Sequence, residues 1–310
     1  MKFVSRHKYL KWILLLGVVL SITAGLLYGW NNFLYSGVDI EDYAMDQQLL
    51  SLRQTEQSLL DNSSTFKMQA SSTYPEKYQT NFGILLYHRV TANPKFKNSR
   101  WSVTPDNFEN QIKYLQDQGY SFVKMTESYQ KFLSVSSTTS SPYHKTLAIT
   151  FDDGYRDVYT TVLPLLKKYN IPATVFVITK DVGKNGNVTW EMLKEMVGSG
   201  LVEVGSHSVS HKYSTKLSKD TLLEEFAGSK AIIEEKLGSS IFVLAYPYGA
   251  ANAMVYEVAK QAGYIGAVRV MAGGRPAAEN FFAWRRVAVD KGDYGPLFLK
   301  KIFTAFGVIK

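Results

Sequence analysis

The sequence predicts an α/β protein built on a mainly parallel sheet. From residue 82 onward, short apolar runs alternate with amphipathic stretches of helical period, and polar clusters stand directly after several of the runs. Such alternation marks strands joined by crossover helices, which make neighbouring strands run the same way. Strands are predicted at 83–87, 146–151, 173–178, 201–205, 241–246, 265–269 and 286–289, and helices over 105–118, 156–169, 190–198, 219–237, 252–262 and 294–305. Roughly 225 residues suffice for one large barrel domain. A doubly wound open sheet satisfies the same pattern.

At the front of the chain, Lys2, Arg6, Lys8 and Lys11 precede nineteen residues, Trp12 to Trp30, that carry no charge. As a helix that run measures about 28 Å at ~1.5 Å per residue, enough to cross a bilayer. By the positive-inside rule the four cations stay in the cytoplasm and the rest is exported. We therefore expect a basic tail at 1–11 and a transmembrane anchor at 12–30, with the chain on the extracellular face of the cell membrane. Secretion after signal cleavage is the alternative, although Ser21-Ile22-Thr23-Ala24-Gly25 is a poor cleavage site. Residues 31–80 are polar, with Leu49, Leu50, Leu52, Leu59 and Leu60 in weak helical period, and read as a stalk and linker. The folded domain is expected over 81–310.

Within that domain, Gly83-Ile84-Leu85-Leu86-Tyr87 is an apolar strand that ends on His88. A polar tract from Ser134 to Ser141 reads as a surface loop ahead of the next strand, Thr146-Leu147-Ala148-Ile149. This strand runs into Thr150-Phe151-Asp152-Asp153-Gly154, so two adjacent carboxylates stand where a buried strand gives way to a loop. Loops after strand C-termini carry the chemistry in α/β folds, and consecutive side chains diverge there, so the two can take different tasks. Leu201-Val202-Glu203-Val204-Gly205 leads in the same way into Ser206-His207-Ser208-Val209-Ser210-His211.

Taken alone, Asp-Asp-Gly is ordinarily a solvated turn, and two histidines four apart fit one helix face by chance. The chain has only five histidines, one of them His7 in the tail, so two in a single post-strand segment point to a shared task. Two imidazoles and one carboxylate make a divalent-metal site with open positions, and the second carboxylate is left as a base.

A third segment, Ala245-Tyr246-Pro247-Tyr248-Gly249, follows the strand Ile241-Phe242-Val243-Leu244. With these three segments in order, the chain resembles the polysaccharide deacetylases of carbohydrate esterase family 4, whose motifs read Thr-Phe-Asp-Asp-Gly, His-Ser/Thr-x-x-His and a turn built on Pro-Tyr-Gly. The resemblance covers roughly residues 82–305. It implies a distorted (β/α) barrel and hydrolysis of N-acetyl groups to acetate and cationic glucosamine. It also implies that Asp153, His207 and His211 hold one divalent ion, Zn²⁺ first and Co²⁺, Ni²⁺ or Mn²⁺ as options. Asp152 is then the base toward a water acidified by the ion, and the backbone N–H of Tyr248 faces the oxyanion.

The chain also departs from the family pattern. Ordinary members carry an arginine just before the Pro-Tyr of the third motif and a C-terminal histidine as general acid, whereas here Ala245 stands near the arginine's place and no histidine follows His211. Tyr87-His88-Arg89-Val90 resembles instead the subgroup that deacetylates poly-β-1,6-N-acetylglucosamine of biofilm matrix, whose barrel is circularly permuted so that the final motif moves to the front. That implies His88 as the acid. Trp284-Arg285-Arg286 falls at the place of the fourth motif, and one of its arginines is expected to reach Asp152. Tyr246, Trp284 and Tyr294 are expected to stack on pyranose rings, with Arg285 and Arg286 lining the substrate site.

Composition narrows the remaining classes. The chain has no cysteine and hence no disulfide, although export would permit one. Of the net charge of +8, the tail supplies half, and the remaining excess is no nucleic-acid footprint. The expected partners are a neutral N-acetylglucosamine polymer and, through the N-terminal helix, the membrane; no obligate protein partner is expected. The runner-up substrates are peptidoglycan and chitooligosaccharides. A catalytically inactive carbohydrate-binding homologue is disfavoured because base, ligands and an acid are all present. A two-metal phosphoesterase or nuclease needs further carboxylate or histidine ligands that the motifs lack.

Overall fold

The computed structural model describes residues 82–96, 99–134, 145–270, 280–293 and 295–305. The expected anchor, the linker, the polar tract beyond Ser134 and Tyr294 lie outside the described residues. Among those described, no helix is long and apolar enough to cross a membrane.

Strand β1 (Phe82–Tyr87) is followed by the short strands β2 (Arg89–Val90) and β3 (Ser102–Val103), helix α1 (Pro105–Asp117), β4 (Ser121–Phe122) and α2 (Met125–Ser134). Strands and helices then alternate: β5 (Thr146–Phe151), α3 (Leu163–Tyr169), β6 (Ala173–Val177), α4 (Trp190–Gly198), β7 (Val202–Ser206), α5 (Lys219–Leu237), β8 (Val243–Ala245), α6 (Ala253–Gln261) and β9 (Gly266–Val270). Strand β10 (Trp284–Ala288) and α7 (Gly295–Ala305) complete the described chain. The main sheet is parallel, in the order β1, β10, β9, β8, β7, β6, β5, β4, and β1 also pairs with β5 from Phe82↔Thr146 to Tyr87↔Phe151. That second pairing closes a seven-stranded barrel from β1 and β5 to β10, and the open sheet is excluded. Because β1 takes one edge of β5 along its whole length, β4 and β6 divide the other edge.

Side chains alternate across each strand. Leu85, Tyr87, Ile149, Phe151, Val175 and Val177 face the helices, whereas Phe82, Ile84, Ala148, Phe176, Val243, Ala245, Val268 and Trp284 fill the barrel. Both faces are buried, so the strands read as continuous apolar runs in the sequence. The predicted helix at 156–169 opens instead with a wide π-helical turn at Val158–Val162, because Pro164 brings no N–H to bond back into that turn.

Helix α2, which the periodicity did not predict, closes the barrel at the N-terminal ends of the strands. Its Tyr129 stacks on Trp284, with ring centres 3.9 Å apart and planes 17° from parallel. The first N–H groups of the helix are satisfied from the strands: Met125 N donates to Thr174 Oγ1 at 3.0 Å and Thr126 N to Glu203 Oε1 at 3.0 Å. Glycines stand at the two tightest approaches in the lumen. A Cβ on Gly266 would lie 2.3 Å from the Tyr129 ring, and one on Gly205 would lie 2.6 Å from the Phe176 ring.

Replacing Gly266 by Ala should therefore cost about 1–3 kcal/mol of unfolding free energy through overpacking. Gly198→Ala, at a position with nothing within 4 Å, should be neutral or stabilise by up to ~1 kcal/mol. Urea denaturation of both variants checks this; a Gly266→Ala protein as stable as the parent would contradict the packed floor.

Candidate active site

The opposite end of the barrel is polar. Strand β5 carries Ala148, Thr150 and Asp152 toward the lumen, and Asp152 N still donates to Tyr87 O at 3.0 Å. The next residue, Asp153, has φ 69°, which turns the chain and separates the two carboxylates. Asp152 is buried, and Arg286 of β10 grips it with both terminal nitrogens, Nη1 to Oδ1 at 2.7 Å and Nη2 to Oδ2 at 2.6 Å. The same Nη1 donates to Thr150 Oγ1 at 3.1 Å, which in turn donates to Leu85 O at 2.8 Å. Burial pushes the Asp152 carboxyl upward, but the charges of Arg286 and His207, with the hydrogen bonds from Arg286, outweigh it and bring it down to about 2.

His207 stands at the end of β7, fixed by its own N–H to Val177 O at 2.8 Å and by Nδ1 against Ala245 O at 2.7 Å. The carbonyl can only accept, so Nδ1 carries the proton and Nε2 is left bare in the neutral ring. His207 Nε2 lies 3.2 Å from His211 Nε2 and 3.6 Å from Asp153 Oδ1, and His211 Nε2 is 3.6 Å from the same oxygen. Two ligands held ~2.0–2.2 Å from one ion are about 3.0–3.5 Å apart, so this triangle has the right size. Asp153 Oδ1 is buried with no hydrogen-bond partner among the described residues, and burial followed by the charge of His207 lowers the pKa of His211. Two imidazole nitrogens thus converge with a carboxylate oxygen that no other group among the described residues satisfies, which fits a cation.

Strained backbone shapes these loops. Asp153, Ser208, His211 and Tyr248 all have φ between 57° and 69°, a region non-glycine residues rarely enter. The His207–His211 loop is held from within by Ser208 Oγ, which accepts His211 N at 3.0 Å. From α5, the buried Glu225 carboxylate accepts both Ser210 N, at 2.8 Å, and the Ser210 hydroxyl.

His88 follows β1 directly, one residue past the Tyr87–Phe151 pair, and so stands beside Asp152. Its Nδ1 is buried without a partner among the described residues, and its ring centre is 4.7 Å from that of the half-buried Trp101. Burial lowers its pKa, with Asp152 and Asp153 pulling the other way. Tyr248, in the Pro247–Gly249 turn, is 52% exposed, and its ring lies 4.5 Å from that of His211.

The expected sugar platforms need correction. Tyr246 and Trp284 are both fully buried. Tyr246 continues the outward-facing parity of β8 and packs between Phe226 and Tyr256, while Trp284, the first residue of β10, sits at the closed end of the lumen. Arg285 faces outward and is exposed, whereas Arg286 is fully buried against Asp152, so neither lines an open substrate site. The sequence reading missed Trp101, brought to His88 by the β2–β3 pairing, and Tyr213, whose ring stacks on Tyr248 at 3.9 Å. An aromatic two residues past His211 was the available signal for Tyr213.

The polysaccharide deacetylase family profile matches residues 139–267. The match takes in both Asp-Asp and His-x-x-x-His segments and leaves out the strands that carry His88 and Arg286. The putative polysaccharide deacetylase YxkH of Bacillus subtilis is 30% identical over 215 residues, 69% of this chain and 74% of that protein. The poly-β-1,6-N-acetyl-D-glucosamine N-deacetylase of Staphylococcus aureus is 32% identical over 214 residues, 60% of this chain and 71% of that one. Among solved structures, the Streptococcus pyogenes deacetylase PplD in complex with acetate superposes with a TM-score of 0.65 at 28% identity, over 71% of this chain and 97% of that chain. IcaB from Ammonifex degensii follows with a TM-score of 0.61 at 27% identity, over 73% and 96%. The chain belongs to the polysaccharide deacetylase family and is a hydrolase of that class.

The buried Asp152–Arg286 pair has a consequence for acid stability. The folded-state pKa of Asp152, about 2, lies below its ordinary 3.8, so its contribution is present above about pH 4 and is lost as pH falls toward 2. Between pH 5 and the acid limit, the parent protein should lose on the order of 2 kcal/mol more stability than Asp152→Asn. Equal acid losses in denaturation series of the two proteins would contradict the assignment.

Proposed function

We propose that this protein removes acetyl groups from a surface polymer of N-acetylglucosamine, poly-β-1,6-N-acetylglucosamine above all, in a metal-dependent hydrolysis that leaves cationic glucosamine units. The observation that carries the reading is the convergence, at one barrel mouth, of the Asp153–His207–His211 triangle, an ionised Asp152 outside it and His88 beside Asp152. The linkage is supported by the staphylococcal relative and by the acid candidate on β1, ahead of the other motifs, as a circularly permuted barrel requires.

Asp153, His207 and His211 would hold one divalent ion, Zn²⁺ in the first instance, which when bound polarises the acetyl carbonyl and acidifies water. Asp152 takes the proton of the attacking water; Arg286 keeps that carboxylate ionised and fixes its direction. As the water oxygen bonds to the carbonyl carbon, the backbone N–H of Tyr248 donates to the developing oxyanion. His88 then delivers a proton to the sugar nitrogen as the C–N bond breaks, releasing acetate and an amine that is protonated at neutral pH. The charges of Asp152 and Asp153 favour the protonated ring against its own burial. Lys2, Arg6, Lys8 and Lys11 before the uncharged span 12–30 support an anchored enzyme facing outward, lifted from the membrane by residues 31–80.

Acetate release from β-1,6-linked N-acetylglucosamine oligomers, chitooligomers and peptidoglycan, compared side by side, should favour the first. Chelation should abolish it and added Zn²⁺ or Co²⁺ restore it. Asp152→Asn should retain the metal but lose several orders of magnitude in turnover, His207→Ala should lose both, and His88→Ala should lose roughly 10²- to 10⁴-fold with metal content unchanged. Full activity of the metal-free protein, or of His88→Ala, would sink the mechanism. In cell fractionation the full chain should stay with the membrane and keep its N-terminus; a mature N-terminus after Ala24 in the medium would mean a cleaved signal.

A further inference from the structure

Among the described residues, the large hydrophobic side chains left exposed are Tyr213, Tyr248 and Leu297, and the two tyrosines lie against each other beside the metal-ligand triangle. Their rings are nearly parallel, 8° apart in plane with centres at 3.9 Å. Ring neighbours lead outward from the triangle: His207 to His211 at 4.7 Å, His211 to Tyr248 at 4.5 Å, then Tyr248 to Tyr213. Tyr248 covers one face and Lys216 Nζ lies over the ring 5.1 Å from its centre, yet 45% of Tyr213 remains open to solvent.

Tyr213 is also held in place. Its carbonyl accepts Lys216 N at 3.0 Å in the turn that follows, and its neighbour Ser214 is buried. Neither phenol hydroxyl has a hydrogen-bond partner among the described residues, so both are available to a polar ligand. A fixed aromatic face with a free hydroxyl at its rim suits a pyranose, whose axial C–H faces pack on a ring while its hydroxyls bond at the edge. Among the ring contacts of the described residues, Tyr213 meets Tyr248 and neither ligating histidine, which sets it outside the triangle.

We infer that Tyr213 forms a subsite for a neighbouring saccharide unit of the polymer, and so helps make the enzyme selective for chains over small acetylated molecules. This rests on the polymer reading proposed above. It assigns Tyr213 to substrate binding and leaves the chemistry to the barrel mouth.

The test compares the metal-loaded full chain with Tyr213→Ala and Tyr213→Trp on a β-1,6-linked N-acetylglucosamine pentamer and on 4-nitrophenyl acetate, which has no sugar. Tyr213→Ala should lower kcat/KM for the pentamer at least tenfold further than for the ester, chiefly through KM, and Tyr213→Trp should restore most of the difference. Equal losses on both substrates would mean that the ring acts through Tyr248 or the fold, and an unchanged pentamer rate would mean that it touches no sugar; either result overturns the inference. If the parent enzyme cleaves the ester but no N-acetylglucosamine oligomer, the polymer reading itself fails, and the subsite with it.

Discussion

The two-pronged grip of Arg286 on Asp152 is the interaction on which the active end of the barrel depends. Both groups are removed from water, and a buried carboxylate or guanidinium without a partner is strongly destabilising. Here the carboxylate receives two charge-assisted hydrogen bonds, and one of the same guanidinium nitrogens also reaches Thr150. The pair fixes β10 to β5 across the lumen while holding the carboxylate in its anionic form. It also commits Asp152 oxygens to Arg286, which separates its task from that of Asp153, whose Oδ1 is left without a donor among the described residues. One ion pair thereby makes two adjacent, chemically identical residues unequal.

The division of the lumen follows from the same constraint. Toward the strand N-termini it is filled by Trp284, Phe82 and Tyr129, which exclude water and set a rigid floor. Toward the C-termini the inward positions become Thr150, Asp152, Arg286 and His207, each with a named partner. The loops above are then forced through left-handed backbone at Asp153, Ser208, His211 and Tyr248. Such conformations persist only where the surroundings over-determine them, and the Ser208 hydroxyl and the Glu225 carboxylate supply that determination for the histidine loop.

Much of this was legible because parallel strands buried on both faces leave continuous apolar runs, and because Asp-Asp and His-x-x-x-His each follow such a run. The expectation that an arginine near 285 would reach Asp152 held for Arg286, since strand parity sends it inward and Arg285 outward. Parity also explains the errors: a sequence window gives residue type, but the faces taken by Tyr246 and Trp284 depend on register and on distance along the strand. Helix α2 was missed because its role comes from plugging a barrel already closed by other strands. Trp101 and Glu225 reach the site through pairings far apart in sequence, β2 with β3 and α5 with the histidine loop, which no local pattern encodes.

The central claim, that Arg286 keeps Asp152 ionised against its own burial, is tested most directly by a ¹³C NMR titration of the Asp152 carboxyl, assigned with Asp152→Asn. In the parent protein that carbon should show no protonation down to about pH 3.5, and in Arg286→Met it should titrate above its ordinary 3.8. Coincident titrations in the two proteins would contradict the account.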